Sequence, residues 1–271
     1  MSAGSPTGLF LFDPLRRWLD QLPPRPDTVA VAELAGRYPV HTDSGCRIRF
    51  VPPQADGLVY ECRIWENGED ETRPDNWHDF FNALVWLSFP LTKNALSAAH
   101  VGAMQQPGEK RTLLRDTLTH VDECSIVVLS AQPALLDLLR GFRWRELFVD
   151  RRAEVRRDMR FIVFGHATYE ALLAPFRGLT AKAVLYEVDA GLLALPVTEQ
   201  VAAVDRMLAA DVAARRFVRP RDFQPLPLLG IPGVVPENED PAYYDDTWQF
   251  RPGRRTSDNR GAAGFREGAE R

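Results

Sequence analysis

The densest run of chemically capable side chains is Thr72-Arg73-Pro74-Asp75-Asn76-Trp77-His78-Asp79-Phe80-Phe81-Asn82. His78 and Asn82 are spaced i,i+4, and Asp79 precedes Asn82 by three residues. A helix there projects all three on adjoining parts of one surface, with Trp77, Phe81, Leu84 and Val85 as its buried stripe. A neutral imidazole beside a carboxylate equips a site for proton transfer or metal binding. A structural role fits part of the run equally: Asn76 and Asp79 have the spacing of a helix cap, and the dipole favours an acid there.

A second helical segment, 110–123, carries Leu114, Leu118 and Val121 as an apolar stripe flanked by Arg115, Thr119 and Asp122. Asp116, His120 and Glu123 form another line at 4,3 spacing. That line suits an oxygen-and-nitrogen metal site or an ion-paired solvated face. His166 directly follows the apolar run 160–164, and strand C-termini in open α/β sheets are where ligands bind. Gly165 permits close backbone approach and Glu170 lies one turn on; capping or packing is the alternative for this histidine. Ser130 holds the corresponding place after 125–130, but no Gly-x-Ser-x-Gly elbow surrounds it, which removes serine-hydrolase chemistry.

The expected pocket therefore gathers His78, Asp79, Asn82, Asp122, Glu123 and His166 as its catalytic group. Arg73, Lys93, His100, Arg115 and Lys182 are the expected contacts to a small anionic substrate. Simpler accounts exist for two of these: a histidine near a helix C-terminus suits the dipole, and Lys182 suits a strand edge. The reaction expected is acid–base hydrolysis, with a divalent metal admitted. No Walker loop, Gly-x-Gly-x-x-Gly fingerprint or His-Glu-x-x-His helix is present, so no cofactor is evident. The alternative is a non-catalytic binding or assembly protein whose polar cluster is a structural hydrogen-bond network. Geometry separates the two: an enzyme needs these groups converging on an open pocket with displaced pKa values, above all His78, Glu123 and His166.

The elements that must position these residues follow from periodicity and breakers. Residues 13–37 read as helical, interrupted by Pro23, Pro24 and Pro26. Segments 47–51 and 58–65 read as a strand pair, the second closed by the turn cluster Asn67-Gly68-Glu69-Asp70. Helices are expected over 76–88, 91–104 and 110–123, strands over 125–130, 160–164 and 182–188, and helices from Pro133, after Gly165 and over 197–216. This pattern implies an α+β (mixed α/β) fold: one mixed sheet with packed helices and some parallel pairing. The division expected is a helical segment 1–39, a main domain 40–219, a Pro-rich extension 220–250 packed on the body, and a disordered tail 251–271. The prolines beyond 220 argue against regular structure there.

The composition sets outer bounds. Basic side chains number 33 against 37 acidic ones, a net charge of −4, so no whole-chain electrostatic grip on nucleic acid is expected. Residues 140–160 are arginine-rich, but acids interleave them and favour intramolecular pairing over RNA contact. The stretch 237–246 carries acids and no bases, with aromatics through 250, and is expected to lie across that basic stretch. No window approaches a membrane span, and the N-terminus makes a poor signal peptide. The three cysteines form no Cys-x-x-Cys pair; Cys46 and Cys62 flank the expected strand pair, and reduced thiols in a cytoplasmic protein are the simplest reading. Nothing in the sequence fixes an oligomeric state.

In combination, the chain resembles a bacterial family known as domain of unknown function 3025. The resemblance rests on Asn76-Trp77-His78-Asp79 with Asn82 and Trp86, then Phe89-Pro90 and Lys93. It continues through Arg115-Asp116, Thr119, Asp122-Glu123, Phe164-Gly165-His166 and Gly178-Leu179-Thr180-Ala181-Lys182. Leu229-Gly230-Ile231-Pro232-Gly233, Tyr244-Asp245-Asp246 and Phe250-Arg251-Pro252 look like the family's closing signature, and Ser97 departs from the expected asparagine. The resemblance implies no reaction, only that these polar positions belong to one pattern.

Overall fold

The computed structural model describes residues 8–104 and 113–253 of the 271-residue chain. After a 3-10 turn, Phe10–Leu15, the chain forms α1 (Arg16–Leu19), α2 (Thr28–Arg37), β1 (Arg49–Val51), α3 (Tyr60–Asn67), β2 (Glu69–Glu71), α4 (Trp77–Ser88) and α5 (Pro90–Met104). It continues through α6 (Leu113–Cys124), β3 (Ser125–Ser130), α7 (Pro133–Arg140), α8 (Arg152–Asp158), β4 (Met159–Val163), α9 (His166–Leu173), β5 (Thr180–Glu187), α10 (Ala190–Ala194), α11 (Val197–Ala213) and β6 (Gln224–Pro227). The fold is α+β, with a mixed four-stranded sheet in the order β4-β3-β5-β6 and a separate parallel pair, β1-β2.

The central sheet forms where β-branched runs dictate it. All six residues of β3 are buried, as a strand covered on both faces requires. It runs parallel to β5 and antiparallel to β4. That antiparallel register corrects the expected equivalence of Ser130 and His166. Ile126 faces Val163, so the start of β3, just after Glu123, meets the end of β4, just before His166. Ser130 lies at the other end of the sheet, its hydroxyl bonded to Gln132 in a local turn.

Two expectations near residue 60 are overturned. Residues 60–67 form a helix rather than a strand, and β1 pairs with β2, which occupies the expected turn. The apolar residues of 58–65 serve a helix instead, which buries Arg63 and Ile64 together. Arg63 binds Asp56, Glu69 at 3.1 Å and Glu71 at 3.0 Å. A strand made of Glu69-Asp70-Glu71 is thus stable because its carboxylates have cationic or hydrogen-bonding partners. Gly68 ends α3 in the left-handed conformation, φ 67°, the usual helix-stop geometry.

The Pro-rich extension also contains regular structure. Residues 224–227 add β6 antiparallel to β5 at the sheet edge. Pro225 and Pro227 alternate, so their missing donors lie on one side of the strand, which an edge position tolerates. Beyond it, Arg145 pairs with Asp245 (2.9 Å), Arg152 and Arg156 with Glu239 (2.8 and 2.7 Å), and Arg177 with Asp246 (2.6 Å). Tyr244 packs on Phe250 and donates to the Gly230 carbonyl. Arg143, Arg151 and Arg157 pair with Glu146, Glu154 and Asp158, so the arginine-rich stretch is laced by acids. The expected tail lies largely outside the described residues, which end at 253. All three cysteines are free thiols, and among the described residues no helix is long and apolar enough to cross a membrane.

Candidate active site

Helix α4 begins at Asn76, whose side chain accepts the Asp79 backbone N–H at 3.0 Å, the capping geometry its spacing suggests. Arg73 closes a fork on Asp79: its backbone N–H and Nε donate to Oδ2 (both 2.8 Å) and Nη2 to Oδ1 (2.9 Å). One face of α4 then packs on α9. Phe81 stacks on Tyr169 at 5.7 Å, and the Tyr169 hydroxyl donates to the Val163 carbonyl at 2.6 Å. His78 lies three residues before Phe81 and His166 three before Tyr169. The aromatic stack one turn away therefore brings the two imidazoles together, with ring centroids 4.4 Å apart and Nε2 to Nε2 at 3.0 Å.

The third participant arrives from the sheet end. Glu123 is the penultimate residue of α6, which runs straight into β3, and Gly165 caps α9 one residue beyond β4. A Cβ at Gly165 would collide with the Glu123 carbonyl and the Ser125 amide, so only glycine allows this approach. One ligand atom from each of His78, Glu123 and His166 falls within a mutual 4.8 Å. Behind His78, the Glu170 carboxylate accepts from Nδ1 at 3.0 Å.

These groups line a cavity of about 580 Å³, within the range of small-molecule sites. Of the residues expected from the sequence, Arg73, His78, Asp79, Asn82, His100, Arg115, Asp122, Glu123 and His166 line it, joined by Tyr60, Glu61, Glu71, Thr119 and Pro53. Two expected residues do not. Lys182 lies on β5 opposite Ser125 and Pro225 and is not among the residues lining the cavity. Lys93 lies behind the wall: Nζ donates to Asn82 Oδ1 at 2.8 Å and to Asp122 Oδ1 at 2.6 Å.

That lysine belongs to a hydrogen-bonded network behind the cavity wall. Asp70, fully buried, accepts from the Tyr60 hydroxyl (3.0 Å), Asn82 Nδ2 (3.0 Å) and Trp86 Nε1 (2.8 Å). Burial still pushes its carboxyl up to about 6, with Lys93 and the donated hydrogen bonds pulling back. Asp122 goes the other way: burial raises its pKa, but Lys93 and His166 outweigh that and hold it below the usual range. Asp79 is likewise held low, because the Arg73 fork overrides its desolvation. On the cavity wall, burial and the Asp122 charge lift Glu61 to about 7 against the pull of Lys93 and Arg115. Burial, with Lys93 and His78 adding to it, lowers His166 to about 3 despite Asp122. The imidazole therefore stays neutral across physiological pH.

The family model described as "Protein of unknown function (DUF3025)" matches residues 48–254. The chain belongs to that family. The DUF3025 span contains every residue lining the cavity, from Pro53 to His166. No curated protein and no solved structure matches the chain. Within the DUF3025 span, reading the sequence misses Tyr60, Glu61, Asp70 and Glu71 for one reason. An assumed strand at 58–65 with a turn after it hides the helix face that presents Tyr60 and Glu61, and the short acidic strand beside it. Glu170 carries a legible signal, one helical turn after His166, but its bond goes to His78.

Proposed function

We propose that this cavity is the active centre of a hydrolase acting on a small anionic substrate by acid–base chemistry. The observation that carries the reading is the convergence of Glu61, His78, Glu123 and His166 on one open cavity; burial pushes the Glu61 carboxyl up to about 7, where a general acid or base works best. Arg73 and Arg115 on the same wall supply cationic contacts for an anion. Asp79 is committed to Arg73, and Asn82, Lys93 and Asp122 to the inner network, so these four position the wall rather than transfer protons. In that respect the structural-network reading describes the inner half of the cluster. Free thiols fit a reducing, cytoplasmic setting, and the acid-laced arginines leave nucleic acid a poor partner.

The test is hydrolysis of a panel of small phosphate monoesters and carboxylate-bearing esters and amides, read as a pH–rate profile. Wild-type turnover should inflect near pH 7, and Glu61→Gln should lose the inflection and on the order of 10²-fold in rate. Turnover in Glu61→Gln equal to wild type, or a folded wild type inert to every panel member, overturns it.

A further inference from the structure

We propose that His78, Glu123 and His166 form a binding site for one divalent transition-metal ion of the zinc class. The argument begins with where ring protons must go. A carboxylate only accepts, so the 3.0 Å contact to Glu170 fixes the His78 proton on Nδ1 and leaves Nε2 with its lone pair. His166 Nδ1 is buried without a hydrogen bond of normal geometry and faces Asp122, whose carboxylate oxygen is 3.9 Å away. With its proton on Nδ1, on the side of the Asp122 carboxylate, His166 also presents its Nε2 lone pair towards His78. In that tautomer the two Nε2 lone pairs meet across 3.0 Å. Lone pairs in that arrangement repel, and a shared cation turns the repulsion into coordination.

The spacing suits such an ion. Two nitrogens each about 2.05 Å from a tetrahedral centre lie about 3.3 Å apart, so a shift of a few tenths of an ångström from the observed 3.0 Å completes the geometry. Glu123 supplies the third ligand from within 4.8 Å, and the cavity side leaves a fourth position for water or substrate, as in catalytic zinc sites. Two imidazoles select against magnesium and calcium, which take oxygen ligands. Glu170 plays the outer carboxylate that orients a ligating histidine. The three ligands come from α4, the end of α6 and the start of α9, held by the Phe81–Tyr169 stack and the Gly165 contact, so the site is formed before an ion arrives.

The inference deepens the hydrolase reading by naming the ion in the same cavity. Its test counts metal without measuring turnover, so its failure leaves metal-free acid–base chemistry standing. Chelator-stripped protein is titrated with Co²⁺ and Zn²⁺, then desalted and its metal content measured. Wild type should retain one equivalent and show visible Co²⁺ ligand-field bands. His78→Ala and His166→Ala should abolish both while keeping a cooperative melt. Glu170→Gln, which touches only the outer shell, should weaken binding about 10–100-fold. His120→Gln, on the other histidine line of α6, should bind as wild type. Folded wild type retaining less than a tenth of an equivalent overturns the proposal. So does undiminished binding by His78→Ala and His166→Ala, or loss of binding in His120→Gln.

Discussion

Helix α4 carries polar side chains into two different surroundings. Four residues after His78, Asn82 enters an interior where its amide nitrogen donates to Asp70 and its oxygen accepts from Lys93. Lys93 in turn is shared with Asp122, and Asp70 collects three donors. His78 instead emerges on the cavity, beside His166 and Glu123, with Glu61 on the same wall. Residue types barely differ between the halves: each holds carboxylates and a nitrogen base. The inner half has cancelled its charges and used its hydrogen-bonding capacity, which fixes helices in place. The outer half keeps a protonatable carboxyl and two imidazoles on the cavity wall. Access and unspent bonding capacity, more than identity, separate a scaffold from a site.

The contrast can be broken most forcefully from the inside. Lys93→Met leaves the half-buried Asp122 without its cation, a defect of about 3 kcal/mol. Urea unfolding should show that loss, and a cost under 1 kcal/mol would mean the network is not structural. Asp70→Asn puts an amide donor where three donors already converge, so about 2–3 kcal/mol should be lost in the same assay.

On the outer wall the effect is on pH dependence. Folded Glu61 keeps its proton up to about pH 7, against an ordinary 4.5. Unfolding in that interval releases a proton, so wild-type stability falls as pH rises through it. Glu61→Gln has no proton to release. Its stability relative to wild type should therefore climb by on the order of 2 kcal/mol from pH 4.5 to pH 8. Asp70 and Asp205, raised in the same sense, add a falling slope below pH 6 in both proteins, which cancels in the difference. The smallest change should come from His78→Ala. This half-exposed side chain makes one carboxylate contact and one ring contact, so about 1 kcal/mol or less should be lost. A cost near that of Lys93→Met would erase the distinction between the halves.

Much of this arrangement is legible in the chain because local signals are strong where packing is simple. The β-branched run 125–130 is a strand, the break between the helices expected over 76–88 and 91–104 is there at Phe89, and the i,i+4 spacing of His78 and Asn82 does mark one helix. What escapes the sequence depends on distant partners. Asp70 reads as a turn residue until Tyr60, Asn82 and Trp86 are seen to satisfy it, and Arg63 reads as strand polarity until three carboxylates surround it. Strand direction is equally silent: nothing local says that β4 runs against β3, yet that choice pairs His166 with Glu123 instead of Ser130. Lys182 looks available by composition, but it does not line the cavity.

Gly165 sets a limit on how this site could diverge. The distance between the His166 and Glu123 backbones is fixed by main chain pressed on main chain, so no exchange of side chains can widen it. Variation in the grip of the pocket must enter through α4 and its stack on Tyr169, where a ring can be resized. Two corners of the triangle act as a ruler and the third as the adjustable arm, which makes position 81 the first place to look for altered specificity in related chains.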